Sequence, residues 1–344
     1  MLGGEPALIE RSRELRSAER FADAVRCLLE ATPTSADEGL RIDRELLMAR
    51  FEAARALIRQ PEPRSSRPGS SSFDWATGSS WPPRVPRSEI TPEVVMGAIA
   101  SAGCIWVEGL LDPADVAWLR DGIDRAVEGH DRWAGDGYPE EAPVDPWFSP
   151  FIPEPAMVHM TRPALRDRGG VFLADSPRLI RRWFDLLAEV GILDLVTEAF
   201  GETPVTSLDK DTLRRVATGE GIEWHQDGAF LGPESKSLDV WVTLTDCATA
   251  PGLDLVSRRF EEIVETGTGG ASFDWSTGPE VIAELARTTP VVRPPFAAGD
   301  ALIFDGLLLH RSAQEPPDAV RYAIETWFFP PSRFPSHQQV PLSF

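Results

Sequence analysis

Trp224-His225-Gln226-Asp227-Gly228 sets a histidine and an aspartate two residues apart. On an extended chain, side chains two apart point the same way, so one imidazole nitrogen and one carboxylate oxygen can reach a single ion. Alone the pair is a weak signal, because such triplets arise by chance. A second histidine strengthens it. His310 ends the run Asp300-Ala-Leu-Ile-Phe-Asp-Gly-Leu-Leu-Leu-His310, which reads as a strand too apolar to finish on a polar residue unless that end faces a site. Two histidines and one carboxylate on one face of an iron leave three positions open, the donor set of non-haem Fe(II) oxygen chemistry. Eleven residues later Arg321 heads the run Arg321-Tyr-Ala-Ile-Glu-Thr-Trp-Phe-Phe329. If that strand pairs beside the one ending in His310, a guanidinium lies near the metal and can grip a carboxylate through two parallel N–H donors.

These residues need strands to hold them, and the pattern after Pro204 supplies them. Leu238, Val240, Val242 and Leu244 alternate with Asp239, Trp241, Thr243 and Thr245, a period of two, and Ala301 to His310 and Arg321 to Phe329 read as further strands. Several strands between Gly/Pro loops predict a sandwich or jelly roll. Upstream, Thr91-Pro-Glu opens a flanking helix with an N-cap and a first-turn proline, and Asp112-Pro-Ala-Asp opens another to about Val127. Before that, Phe21, Val25, Leu28 and Leu29, then Leu46, Leu47, Phe51, Ala54 and Leu57, recur at helical spacing. The organisation predicted is a helical hairpin over 1–60, either tetratricopeptide-like or a cap, a Pro/Ser/Arg-rich linker over 61–88, and the main domain over 89–335. On that division the hairpin is removable, and a chain starting near Arg84 keeps the site. Ser72-Phe-Asp-Trp-Ala-Thr-Gly78 recurs as Ser272-Phe-Asp-Trp-Ser-Thr-Gly278, which reads as a turn used twice.

Thirty-four Lys and Arg against fifty-four Asp and Glu give a net charge of −20, which disfavours nucleic acid as a partner. No apolar run is long enough to span a membrane and the first residues lack the order of a signal peptide, so a cytoplasmic protein is expected. Cys27, Cys104 and Cys247 fit neither a disulfide framework nor a zinc pattern and are expected as small buried side chains. His130 and His337 stand in no motif and read as surface residues. Asp131 to Arg168, with Trp133, Trp147, Phe148, Phe151, Met157, His159 and Met160, reads equally as a lid over a pocket or as packing outside a barrel.

From Glu89 to Phe329 the chain resembles the phytanoyl-CoA dioxygenase-like family of Fe(II)- and 2-oxoglutarate-dependent oxygenases. The resemblance rests on Glu89-Ile-Thr-Pro-Glu, Gly103-Cys-Ile-Trp-Val-Glu-Gly-Leu-Leu-Asp-Pro, Trp224-His-Gln-Asp-Gly228, and Gly299 to Ser312 with Arg321. It implies a mainly β fold, a double-stranded β-helix of the jelly-roll or cupin type with flanking helices. It implies iron ligands at His225, Asp227 and His310. It also implies 2-oxoglutarate contacts at Arg321, Ser312 and Trp241, with Arg215 where the family often has a lysine. Fe(II), 2-oxoglutarate and O2 would then act on a small molecule, releasing succinate and CO2 with hydroxylation as the default outcome. A carboxylate at Asp227 argues against halogenation, since related halogenases carry a small residue there. The family's Pro-Gly-Ser-His is replaced by Val256-Ser-Arg-Arg-Phe260, which affects the substrate side alone. The main domain's acidity points to a small apolar or cationic substrate, although Arg162, Arg166 and Arg168, or Arg258 and Arg259, could receive an anion. Two alternatives stay open: a non-catalytic jelly-roll scaffold whose N-terminal helices bind a protein partner, and an iron oxygenase without 2-oxoglutarate.

Overall fold

The computed structural model describes residues 7–61, 81–139, 141–154, 161–217, 222–232, 235–314, 319–338 and 340–344. The first copy of the repeated segment, most of the linker, and Met157, His159 and Met160 lie outside the described residues.

Alternating strands build a seven-stranded sheet in the order β1-β2-β9-β6-β11-β5-β3. These strands are β1 (Arg84–Pro86), β2 (Cys104–Glu108), β3 (Gly170–Phe172), β5 (Thr212–Val216), β6 (Leu238–Thr243), β9 (Ala301–Asp305) and β11 (Arg321–Phe328). A second sheet runs β10-β7-β8, with β7 (Leu253–Val256), β8 (Val291–Val292) and β10 (His310–Ser312). β4 (Val205–Ser207) pairs with β12 (Pro341–Ser343). All pairings are antiparallel except β1 with β2.

Period-two alternation predicts a strand with one face in water, but every residue of β6 is buried. Leu238, Val240 and Val242 share a core with Ile105, Ile303, Ile324 and Phe328, covered by the helices. Those helices are α4 (Pro92–Ala102), α5 (Pro113–Gly135), α7 (Pro177–Glu189) and α8 (Ile192–Phe200), which supply Val95, Leu119, Leu179 and Leu195. Trp241 points the other way, into a second core with Trp106, Leu302, Leu255 and Phe296. The polar residues of the alternation therefore face a closed interior, which is where a site can stand. α4 begins as expected, with Thr91 Oγ1 accepting from the Val94 amide at 3.3 Å, and ends at Gly103, whose φ of 81° suits glycine. α5 runs eight residues beyond the expected end at Val127.

The N-terminal segment holds three helices where two were expected: α1 (Ala7–Ser17), α2 (Phe21–Leu29) and α3 (Ala36–Arg59). Ser35 Oγ caps α3 by accepting from the Glu38 amide. Leu47 and Phe51 of α3 enter the core on the helix side of the large sheet, and the Phe51 ring meets Phe151 edge-on at 6.1 Å. The buried Arg50 guanidinium lies 4.6 Å from the centre of the Phe184 ring, and Ser343 Oγ donates to the Arg50 carbonyl. The boundary drawn at residue 60 on composition thus falls between segments that share a core. The large sheet takes its edge strand β1 from the expected linker, and β12 lies beyond residue 335. Phe51→Ala is expected to lower the stability of the whole chain by about 3–5 kcal/mol in a single unfolding transition. A denaturant melt followed by tryptophan fluorescence and by circular dichroism checks it; two separated transitions would restore an independent hairpin. For the same reason a chain starting at Arg84 is expected to lose solubility.

The aromatic-rich stretch divides. Trp133, Phe148 and Phe151 are buried in packing, and His130, expected at the surface, is buried between Tyr138 and Phe148. Cys104 and Cys247 are buried as expected, and Cys27 is half-buried.

Candidate metal centre

His310 was expected to end the strand that starts at Ala301. Instead β9 stops at Asp305, the chain crosses through Gly306 to Leu309, and His310 opens β10 in the facing sheet. There it forms a reciprocal backbone bridge with His225, each amide donating to the other's carbonyl at 3.0 Å. Gln226 holds the turn on the far side: its Nε2 donates to the Leu307 carbonyl at 2.8 Å and its Oε1 accepts from the Val264 amide. The Gly228 amide reaches the Gly306 carbonyl at 2.8 Å, an approach that leaves little space for a side chain.

The two imidazoles are oriented alike. His225 Nδ1 meets the Glu223 carbonyl at 2.6 Å and His310 Nδ1 meets the Leu308 carbonyl at 3.0 Å. A carbonyl can only accept, so each ring carries its proton on Nδ1 and offers the Nε2 lone pair inward. Burial, then the facing His225, pushes His310 down to about 4, so it is neutral at physiological pH. His225 Nε2 lies 3.3 Å from Asp227 Oδ1, and the buried Asp227 carboxyl has the two rings and the Asp239 carboxyl as its neighbours. Burial alone would raise the Asp227 carboxyl, but the His310 and His225 rings outweigh it and hold it below its ordinary value. One donor atom from each of the three residues lies within 4.8 Å of the others. A buried carboxylate between two inward imidazole nitrogens is a donor set that fits a divalent cation.

Beside this triad stands Asp239, an inward residue of β6. Burial, then the neighbouring Asp227 carboxylate with which it shares a hydrogen bond, pushes it well above its ordinary value. Asp239 was read from the sequence only as the polar half of an alternation.

Arg321 was expected to reach the site by pairing beside the His310 strand. β11 pairs instead with β5 and β6, and the link to β10 is made across the interior, where Arg321 Nη2 donates to Ser312 Oγ at 3.1 Å. Nη1 donates to the Gly252 carbonyl at 2.8 Å, while Nε is buried without a partner. Burial lowers the guanidinium to about 10, which leaves it charged at neutral pH. The Trp241 ring lies 6.0 Å from it, and the Trp241 indole N–H is also buried and unpartnered. Two orphaned donors and a hydroxyl around one buried cation fit a carboxylate.

Arg215 does not join them. It stands on the outer face of β5, half-exposed, 3.3 Å from Asp124. Its neighbour Arg214 takes the inward place and holds Glu325 through Nε and Nη2 at 3.2 and 2.9 Å. One residue of slip reverses the face of a strand, and a count of residues back from His225 cannot resolve it.

The triad opens into a cavity of about 410 Å³ bounded by Phe230, Trp275, Trp327, Lys210, Arg168 and Phe172. Phe230 stacks near His225 and parallel to Trp327, with ring centres 6.3 and 5.8 Å apart, and Trp275 meets His225 edge-on at 5.8 Å. Trp275 belongs to the second copy of the repeated segment, whose Ser276 bridges His225, so that copy is a wall of the cavity as well as a turn. His337 is exposed, as expected, and lines the cavity.

The phytanoyl-CoA dioxygenase family model matches residues 99–322. The chain belongs to that family. It is a 2-oxoglutarate-dependent dioxygenase that uses Fe(II) and O2. Among solved structures it is similar to AviO1 from Streptomyces viridochromogenes Tue57, at 19% identity over 70% of this chain and 96% of that one, TM-score 0.44. It is similar to EctD from S. alaskensis, crystallised with 2-oxoglutarate and 5-hydroxyectoine, at 18% identity over 80% and 86%, TM-score 0.49. It is also similar to SnoK, a non-heme alpha ketoglutarate dependent carbocyclase from nogalamycin biosynthesis, at 15% identity over 72% and 86%, TM-score 0.44. These likenesses are too distant to bear on the chemistry. No curated protein matches the sequence. Among the described residues no helix is long and apolar enough to cross a membrane.

Proposed function

We propose that this dioxygenase holds Fe(II) through His225 Nε2, Asp227 and His310 Nε2, binds 2-oxoglutarate through Arg321, Ser312 and Trp241, and hydroxylates a small organic molecule. On this reading the two facing sheets are the halves of a double-stranded β-helix. The observation that carries it is the triad itself: two imidazoles with their Nδ1 protons committed to backbone carbonyls, facing a buried carboxylate, with one donor atom of each residue within 4.8 Å of the others. Bound iron with 2-oxoglutarate and O2 supplies an oxidant strong enough to remove hydrogen from carbon, with succinate and CO2 as co-products.

The protein's own residues position and insulate. The backbone carbonyls of Glu223 and Leu308 keep both lone pairs on the metal side. Arg321 Nε and the Trp241 N–H, both buried without a partner, would donate to the cosubstrate's carboxylate, with Ser312 Oγ beside Arg321. Glu325 is kept ionised by Arg214 despite its burial and offsets part of the Arg321 charge from four residues along the same strand face. Phe230, Trp275 and Trp327 exclude water from the side where substrate enters.

Anaerobic addition of Fe(II) and 2-oxoglutarate is expected to produce a metal-to-cosubstrate charge-transfer band, titrating to one equivalent of each. Fe(II) uptake without the band would leave an iron protein whose carboxylate site is not used.

A further inference from the structure

Two aromatic bridges lead from the triad to two cations. His225 stacks near Phe230, and Phe230 with Trp327 flanks the Lys210 ammonium, whose Nζ lies 4.6 and 4.9 Å from the two ring centres. On the other side His225 meets Trp275, Trp275 stacks on Phe273 at 4.9 Å, and Arg168 lies 5.3 Å over Phe273. Lys210 and Arg168 both line the cavity that opens from the triad.

Neither donates a side-chain hydrogen bond among the described residues. The Lys210 ammonium makes one long ion pair, 3.9 Å to Asp209 Oδ2, while Ser207 Oγ donates to the other oxygen, Oδ1, at 2.6 Å. The Arg168 guanidinium has neither an acceptor nor an ion pair among the described residues. The chain's other arginines near the cavity are spent: Arg162 on Asp175, Arg166 on Asp131, Arg214 on Glu325 and Arg259 on Asp305. In a chain of net charge −20 with only two lysines, a lysine side chain only 17% exposed with its ammonium held between two rings is a specific placement. Ring faces fix a cation without using its N–H donors, so those donors stay available to an incoming group.

We propose that the prime substrate is an organic anion: an apolar, ring- or chain-like body lying against Phe230, Trp275 and Trp327, with a carboxylate or phosphate ester received by Lys210 and Arg168. This replaces the apolar or cationic substrate expected from overall charge: of the carboxylates lining the cavity Glu325 is paired with Arg214 and Asp209 only loosely with Lys210, so the two cations dominate at contact range. It rests on the proposed oxygenase site only for which end of the cavity is reactive.

The test uses Zn(II)-loaded protein saturated with 2-oxoglutarate, so that Arg321 is occupied. Tryptophan fluorescence is titrated with 3-phenylpropionate, 2-phenylethyl phosphate and the neutral 3-phenylpropionamide. At least one anion is expected to bind roughly ten-fold or more tighter than the amide, the better of the two naming the group recognised. Lys210→Met and Arg168→Met should each shrink that preference and together erase it, while Lys210→Arg retains part of it. Equal binding of anions and amide, no anion binding, or a preference that survives in the double variant overturns the proposal. So does a Lys210→Met protein whose charge-transfer band needs more 2-oxoglutarate, which would give Lys210 to the cosubstrate. A missing charge-transfer band in the wild type defeats the iron and 2-oxoglutarate reading instead, since the anion preference is measured on zinc.

Discussion

His225→Ala, Asp227→Ala and His310→Ala are each expected to abolish 2-oxoglutarate decarboxylation. Iron affinity should fall by more than about 100-fold, the upper end of what removing an outer partner of a metal ligand does. The fold should survive, because the backbone bridge between residues 225 and 310 and the two sheets do not depend on these side chains. Asp227→Ala is the sharpest of the three. In the metal-free protein it removes a carboxylate that the two rings hold below its ordinary pKa, so its apo melting temperature should fall modestly while its iron content collapses. Iron content, succinate release and melting temperature measured together separate a ligand from a structural residue. A variant that keeps wild-type turnover leaves the ligand set.

Arg321→Ala is expected to weaken 2-oxoglutarate by roughly thirty-fold or more, since losing one partner of a desolvated charge pair costs about 2–5 kcal/mol. Arg321→Lys should fall between it and wild type: an ammonium is a point charge and cannot place two N–H donors side by side. Iron binding should change little in either. The wild type should prefer 2-oxoglutarate over pyruvate, which lacks the distal carboxylate, and Arg321→Ala should lose most of that preference. Titrating both oxo acids on the charge-transfer band decides it. An unchanged preference in Arg321→Ala would move the carboxylate to another cation, with the inward Arg214 the first to examine and the surface Arg215 excluded by its outward face.

The residues of the triad were legible in the sequence because metal chemistry constrains residue type and short-range spacing. A His and an Asp two apart on an extended chain, with a histidine at the end of an apolar run, state a donor set without any fold. Helix starts at Thr91 and Asp112 were legible for the same local reason. What the sequence could not carry was which sheet each segment joins. His310 reads as the end of the Ala301 strand, yet a turn at Gly306 sends it to the facing sheet, and only that crossing brings it against His225. Arg321 lies in the large sheet and reaches Ser312 across the interior, so the contact expected between neighbouring strands is made between opposite ones. The inward arginine is 214 and not 215, because a strand's face is set by its partners' register, and β5 takes its register from β11 and β3. The aromatic walls and the two ring-held cations come from Arg168, Lys210, Phe230, Phe273, Trp275 and Trp327, scattered over some 160 residues, and no spacing rule connects them. By itself the sequence determined the reaction's metal chemistry, which depends on residue types at short range. Tertiary structure alone decided which charges remain available around the cavity, because that depends on every ion pair the folded chain has already made.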